Sequence, residues 1–146
     1  MKKKIITLAA LIMLAISTTF ANDNGISKNV LSTFSETFAK ATDVKWEKDN
    51  HYYRVSFQQN NLLLNALISE EGKMIAVSRN ILSTELPINL QASYNKNFSG
   101  YWISELKEYA IGNKTKYFLT VENADQKLLL ESMGTHDWNT VKKIVK

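Results

Sequence analysis

The chain has 146 residues and no cysteine, which excludes disulfides, thiol catalysis and thiolate metal sites. It carries 18 lysines and arginines against 14 acidic residues, but three lysines fall within the first four residues. Without those three, 15 basic residues face 14 acidic ones, so nothing in the charge suggests a nucleic acid or an anionic membrane as partner.

The first 21 residues have the three parts of an export signal. A run of lysines is followed by an apolar stretch over residues 5–16, and then by small residues at Thr19 and Ala21. The apolar stretch is too short to span a bilayer comfortably, and no cysteine follows it for lipid attachment. We therefore predict a signal peptide over 1–21 and a periplasmic or secreted domain over 22–146, without a stable membrane anchor. An uncleaved anchor is the alternative.

A first helix is predicted from Ser27 to Ala41, with Ser27 as its N-cap. Its apolar residues recur at helical spacing and form one face. The chain then becomes extended from Val44 onward, where Trp46 is expected to close the core between helix and sheet. The apolar helical face consists of Val30, Phe34, Phe38 and Ala41.

Short strands follow this helix. Residues 52–58 alternate between apolar and polar, which is typical of a strand with one buried face. Asn60–Asn61 predicts a hairpin turn because asparagine tolerates left-handed backbone, and Gly72 predicts another. The residues in the buried phase are Tyr53, Val55 and Phe57. The strands after the turns cover 62–69 and 74–81.

The same order then recurs in a second unit. Pro87 suits the first position of a helix, and Leu90, Tyr94 and Phe98 form its apolar face, which Gly100 ends. Glycine- and asparagine-containing turns then separate four segments of alternating or apolar sequence. These predicted strands cover 101–111, 117–121, 127–133 and 138–145.

The strand over 101–111 offers two candidate buried faces, Tyr101 with Ile103 or Trp102 with Leu106, and both stay open.

We predict an α+β fold built as a tandem repeat, with units over about 26–81 and 86–145. Each unit is one helix followed by about four strands, and strands joined by hairpins are antiparallel. A single antiparallel sheet would then carry both helices on one face and leave its other face open. Two unrelated small α+β halves are the alternative.

Part of this pattern resembles a known family. The residues are Phe38-Ala39-x-Ala41-Thr42-x-Val44-x-Trp46, then Tyr53-x-Val55-x-Phe57, Ala66, Gly72-Lys73 and Glu85-Leu86-Pro87. They are similar to the PepSY-like family of secreted bacterial proteins, whose fold is akin to the beta-lactamase inhibitor protein. The resemblance implies an exported, non-catalytic α+β domain. The second unit lacks a copy of Val44-x-Trp46, so no inhibitory residue can be carried over.

The sequence shows no motif for catalysis or for metal binding. His51 and His136 do not have the spacing of a zinc site, and Glu70 and Glu71 are neighbours in a turn, where their side chains point apart. Nucleophile elbows and phosphate-binding glycine loops do not occur. We therefore predict no enzymatic activity, no metal and no cofactor.

The open sheet face is the candidate binding site. Its residues lie in the phase opposite to Tyr53, Val55 and Phe57, although a slip of one residue would exchange the two faces. Aromatic and arginine side chains dominate interface energetics, which favours a protein partner. The candidate site residues are Tyr52, Arg54, Leu63, Leu67, Phe118, Leu129 and Trp138.

The predicted function is an exported, non-catalytic binding module, with inhibition or regulation of an envelope or extracellular protein as its candidate role. The alternative is a carrier or sensor of a small apolar or envelope-derived ligand. A pocket enclosed between helices and sheet would favour the carrier, and a broad apolar face would favour the binding module. Self-association stays open.

Protein recovered from the periplasm or the medium should lack residues 1–21, since the signal pattern predicts cleavage after Ala21. N-terminal sequencing checks this. Finding Met1 on the exported protein would contradict it.

Overall fold

A computed structural model describes residues 25–134 and 137–146, so the predicted signal peptide lies outside the described residues. A helix followed by four strands occurs twice along the chain, with a short 3-10 helix between the two sets. The helices are α1 (Lys28–Thr37) and α2 (Ile88–Asn97), and the 3-10 helix is Ser83–Glu85. The strands are β1 (Thr42–Asp49), β2 (Tyr52–Gln59), β3 (Leu62–Ser69), β4 (Met74–Asn80), β5 (Trp102–Ile111), β6 (Lys114–Glu122), β7 (Gln126–Ser132) and β8 (Asn139–Val145).

The eight strands form one antiparallel sheet in the order β1-β2-β3-β4-β5-β6-β7-β8. Residues paired directly across antiparallel strands point to the same face of a sheet. One such row runs from Phe57 through Leu64, Arg79 and Glu108 to Tyr117. Phe57 packs with α1 and Tyr117 packs with α2, so both helices cover the same face. The predicted α+β fold with one antiparallel sheet is confirmed.

Each helix packs on its own half of the sheet through a separate apolar core. Val30 and Phe34 of α1 are buried, and Phe34 stacks edge-on against Phe57 and Trp46, with ring centroids 5.1 and 5.2 Å away. Leu90 of α2 is buried completely against the second half. The first core contains Val30, Phe34, Ala41, Val44, Tyr53, Val55, Phe57, Ala66 and Ile68, and the second contains Ile81, Leu86, Leu90, Leu106, Tyr117, Leu119, Val121, Leu128, Leu130 and Trp138.

The helices are shorter than the sequence predicted. Ser27 caps α1 as expected, since its hydroxyl accepts a hydrogen bond from the Val30 N–H at 3.4 Å. The helix nevertheless ends at Thr37, because the chain turns there into β1 and Ala41 is buried from that turn. Pro87 is the N-cap of α2, one residue before the position that the sequence suggested.

Two turns form where the local sequence predicted them. Asn60 and Asn61 have φ angles of 52° and 63°, the left-handed pair that closes a two-residue hairpin between β2 and β3. Gly72, at φ 87°, turns β3 into β4 and lies against α1. A Cβ there would come within 2.9 Å of the Asn29 backbone oxygen, so the turn needs glycine for close approach as well as for its φ angle.

A bulge in β5 explains why the sequence left its buried face undecided. Ile103 pairs with Val121 and Glu105 pairs with Thr120, so one extra residue lies between them. The bulge shifts the alternation by one position. Ile103 and Leu106 therefore both face the helices, while Trp102 and Glu105 point to the other side.

Replacing Phe57 or Phe34 with alanine should destabilise the protein by about 3–5 kcal/mol, because each ring is buried in the first core. Urea unfolding of Phe57→Ala and Phe34→Ala measures this. Leu63→Ala, at a position 60% exposed on the opposite face, is the control and should change stability by about 0.5 kcal/mol or less. A loss below about 1 kcal/mol for Phe57→Ala would show that the wrong face was assigned to the core.

Candidate functional site

The sheet face opposite the two helices, called the open face below, carries most of the predicted site residues. Arg54 pairs with Leu67, and Leu129 pairs with Thr120, in rows that alternate with the buried helix-side residues. Six of the predicted site residues lie on the open face, and they are Tyr52, Arg54, Leu63, Leu67, Phe118 and Leu129.

Trp138 does not belong to the open face, and its predicted place there is wrong. Its side chain is 8% exposed and packs in the second core. Its indole N–H donates a hydrogen bond to the Leu90 carbonyl of α2 at 3.1 Å. Because Trp138 precedes the first residue of β8, the alternation of that strand does not govern where its side chain points.

A shallow groove of about 110 Å³ crosses the centre of the open face. Ala76 and Ser78 of β4 form its floor and are buried although both point away from the helices. Larger side chains stand on either side, with Arg54 toward β1 and Tyr109 toward β6. The small residues of the central strand therefore create a depression into which a partner side chain can fit.

The Tyr52 side of this groove is held by a charged contact. The Tyr52 hydroxyl donates to the Asp49 carboxylate at 2.6 Å. This bond lowers the pKa of Asp49 and raises the pKa of Tyr52. Arg54 lies beside it, half exposed and 3.8 Å from the Glu47 carboxylate, so its guanidinium is only loosely engaged.

An aromatic pair lies on the other side of the groove. The rings of Tyr109 and Phe118 meet edge to face with centroids 5.2 Å apart. Lys116 reaches over the Phe118 ring at 5.1 Å and also binds the Glu131 carboxylate at 2.6 Å. The pair combines apolar area with a fixed geometry, as is common for the central residues of protein interfaces.

A second groove of about 220 Å³ lies nearer to β8. Leu129 and Ile144 supply its apolar part, and Thr120 lies buried at its base. Its rim is charged and consists of Glu105, Lys127 and Lys142.

Trp102 lies at one end of the open face, and its side chain is 54% exposed. The sequence had left the face of this residue undecided. Lys146 lies over its ring, with the ammonium 5.1 Å from the ring centroid. The same ammonium contacts the Glu122 carboxylate at 3.0 Å, which Lys127 also contacts at 3.1 Å. Hydrogen bonds from Lys146, Ser104 and Lys127 together lower the pKa of Glu122 to about 2.

Several residues of the open face were missed in the sequence. Tyr109 lies on β5, where the bulge hides the phase, and Ala76 and Ser78 are too small to suggest a site. The alternation of β6 could have placed Tyr109. Lys116 lies in the same phase of β6 as Phe118, and Lys116 pairs directly with Tyr109 across the hairpin, so all three side chains lie on the same face.

The candidate metal ligands of the described residues lie apart from one another. Within residues 25–134 and 137–146, no three His, Asp or Glu side chains come together as metal ligands. His51 is exposed in the turn after β1, Glu70 pairs with Lys48 at 3.2 Å, and His136 lies outside the described residues. Neither α1 nor α2, the helices of the described part, is long and apolar enough to cross a bilayer.

No protein-family model and no curated protein matches the sequence. Solved structures do share its fold. A DUF2874 family protein from Bacteroides ovatus is 19% identical with a TM-score of 0.71, and 81% of this chain and 86% of that one are covered. A candidate periplasmic protein from Bacteroides eggerthii is 11% identical with a TM-score of 0.72, covering 82% and 88%.

A BLIP-like protein from Bacteroides fragilis, named after the beta-lactamase inhibitor protein, is 15% identical with a TM-score of 0.68 and covers 82% of this chain and 85% of its own. At these identities the likenesses show the fold alone. The predicted likeness to the beta-lactamase inhibitor protein is therefore confirmed at the level of fold, while the PepSY-like resemblance stays a prediction.

Glu122 should make the stability of the protein depend on pH. Its pKa is about 2 in the folded protein against an ordinary 4.5, so its contribution is complete above about pH 5 and is lost as the pH falls toward 2. The thermal midpoint of Glu122→Gln should lie below that of the wild type at pH 7, and the difference should shrink as the pH falls to 3 and below. A difference that stays constant over this range would contradict the assignment.

Proposed function

We propose that this protein is an exported, non-catalytic binding module that lays its open face over another envelope or secreted protein. The proposal rests on the difference between the two faces of the sheet. Both helices pack on one face, whereas the other presents the Tyr109–Phe118 pair, two grooves and exposed apolar side chains. Inhibition or regulation of an envelope enzyme is the role that this mode of binding would serve.

The composition of the open face supports a protein partner. Aromatic and aliphatic side chains occupy its middle, where a partner would remove them from water. Charged residues lie among them, and several are paired within the face, as in Lys107, the cross-strand neighbour of Phe118, with Glu105 at 2.6 Å. A mixture of aromatic, apolar and charged side chains suits a protein interface, because such interfaces are about as apolar as the rest of a protein surface.

The carrier alternative has weaker support. It called for a pocket between helices and sheet, but Leu90, Leu119 and Leu130 fill that space and are completely buried. The two grooves of the open face are each smaller than the roughly 300 Å³ at which small-molecule sites begin. A larger space of about 460 Å³ between residues 80–83 and 103–106 is open to solvent and does not enclose a ligand.

The structural neighbours agree with this proposal without testing it. One is described as a candidate periplasmic protein and another as BLIP-like, and a PepSY-like domain would also be exported. The inhibitor role is inferred for this chain from its open face.

Arg54→Ala and Phe118→Ala should each weaken binding to the partner by about 2 kcal/mol, roughly thirtyfold in affinity, because both side chains lie where the partner would cover them. The partner is first recovered from envelope extract with the exported protein, and affinities are then measured by titration calorimetry. Ile88→Ala is the matched control, since Ile88 is 78% exposed on α2 at the opposite side of the sheet.

Thermal unfolding of the same variants separates binding from folding. Arg54→Ala should change stability by about 0.5 kcal/mol or less, as exposed positions do. Unchanged affinity in both open-face variants, or a loss of affinity in Ile88→Ala of equal size, would remove the open face as the binding site.

A further inference from the structure

The two halves of the sheet are joined by its shortest ladder, which leaves part of β5 without a neighbour. Strands β4 and β5 pair only from Val77↔Ala110 to Asn80↔Lys107. On its other side β5 pairs with β6 all the way back to Trp102↔Glu122. The beginning of β5 therefore extends beyond the end of β4.

The chain that leaves β4 turns away from this part of β5. The Ile81 N–H donates to the Leu106 carbonyl at 3.1 Å, and this is the last backbone bond between the two segments in the described chain. Ile81 and Leu86 are then buried in the second core, on the helix side of the sheet. On the side away from β6, residues 102–105 thus have no neighbouring strand among residues 25–134 and 137–146, which leaves a bare backbone edge in the middle of the sheet.

A slot of about 460 Å³ lies along this edge. Its walls are the departing chain at 80–83 and the β5 edge at 103–106. Ser104 and Glu105 are exposed, so the edge is open to solvent. Its length is about four strand rises of 3.3 Å, or ~13 Å, which is enough for a short extended peptide.

We propose that this slot binds an extended segment of the partner protein, which adds to β5 as an antiparallel or parallel strand. Unpaired N–H and C=O groups along an edge form a template for another strand, and peptide-binding domains use such edges. Because side chains alternate along a strand, an inserted segment would place one set toward Ile81 and Leu106, on the helix side. The other set would point toward Glu105 and Lys107, so the segment is apolar on one side and polar on the other.

The slot is better suited to accepting an added strand than the outer edges of the sheet are. Edge strands are commonly protected by charged side chains, above all lysine. On the outer strands, β8 carries Lys142 and Lys143, and β1 carries Lys45, Glu47 and Lys48. Between Trp102 and Leu106 the only charge is Glu105, which is already paired with Lys107.

The slot also joins the open face. Glu105 lines both the slot and the groove near β8. A partner that covers the open face would therefore hold its extended segment next to the slot. The choice of a partner protein as the source of this segment rests on the proposed function. The two proposals are tested separately. Phe118→Ala tests binding to the open face, and Ser83→Arg tests binding in the slot.

The probe is a blocked seven-residue peptide of alternating valine and threonine between terminal lysines, added to ¹⁵N-labelled exported protein. Amide exchange is followed by NMR. We expect those amides of residues 103–106 that point away from β6 to exchange at least tenfold more slowly at millimolar peptide. The same peptide methylated at every valine and threonine nitrogen cannot form a ladder and should give no protection.

Ser83→Arg places a long side chain in the slot from an exposed position and should abolish the protection. Ser99→Arg adds the same side chain at an exposed position outside the slot and should leave it unchanged. Absence of protection at 103–106, or protection confined to β1 or β8, would overturn the proposal. Protection that appears without peptide as the protein concentration rises would assign the slot to a second copy and overturn it equally.

Discussion

The short ladder between β4 and β5 is the constraint on which the rest of this structure depends. Its register decides whether the apolar residues of both halves face the same way, since a slip of one residue would turn one half over. Arg79 lies in this ladder on the helix side, half-buried between the two cores. Its guanidinium binds Glu108 on β5 at 3.2 Å and Glu85 of the 3-10 helix at 3.0 Å.

These two ion pairs give the register a physical reason. A slipped ladder would leave Arg79 partly buried and away from Glu108, and an unpaired buried charge is costly. Glu85 adds a second constraint, because its other carboxylate oxygen accepts the Leu82 N–H at 2.8 Å. That bond and Arg79 both lower the pKa of Glu85, which stays charged. The connection between the halves is thus tied to the ladder that it follows.

Local sequence was sufficient where one or two residues decide a conformation. The turns at Asn60–Asn61 and Gly72 were predictable because they need left-handed backbone, and the buried phase of β2 was predictable from its alternation. The same reasoning left the face of Trp102 undecided, because a bulge shifts the phase there. It failed at Trp138, whose hydrogen bond to Leu90 spans 48 residues. Both depend on contacts between distant segments, which alternation within one strand does not encode.

The central claim is that one face of the sheet maintains the fold while the other binds. Hydroxyl-radical footprinting of the protein, free and with its partner, tests this most directly, because it reports the solvent exposure of aromatic and aliphatic side chains on both sides. The account predicts protection of Tyr52, Tyr109 and Phe118 in the complex, with Ile88 on α2 unchanged. Protection of Ile88 with an unprotected Tyr109–Phe118 pair would contradict it.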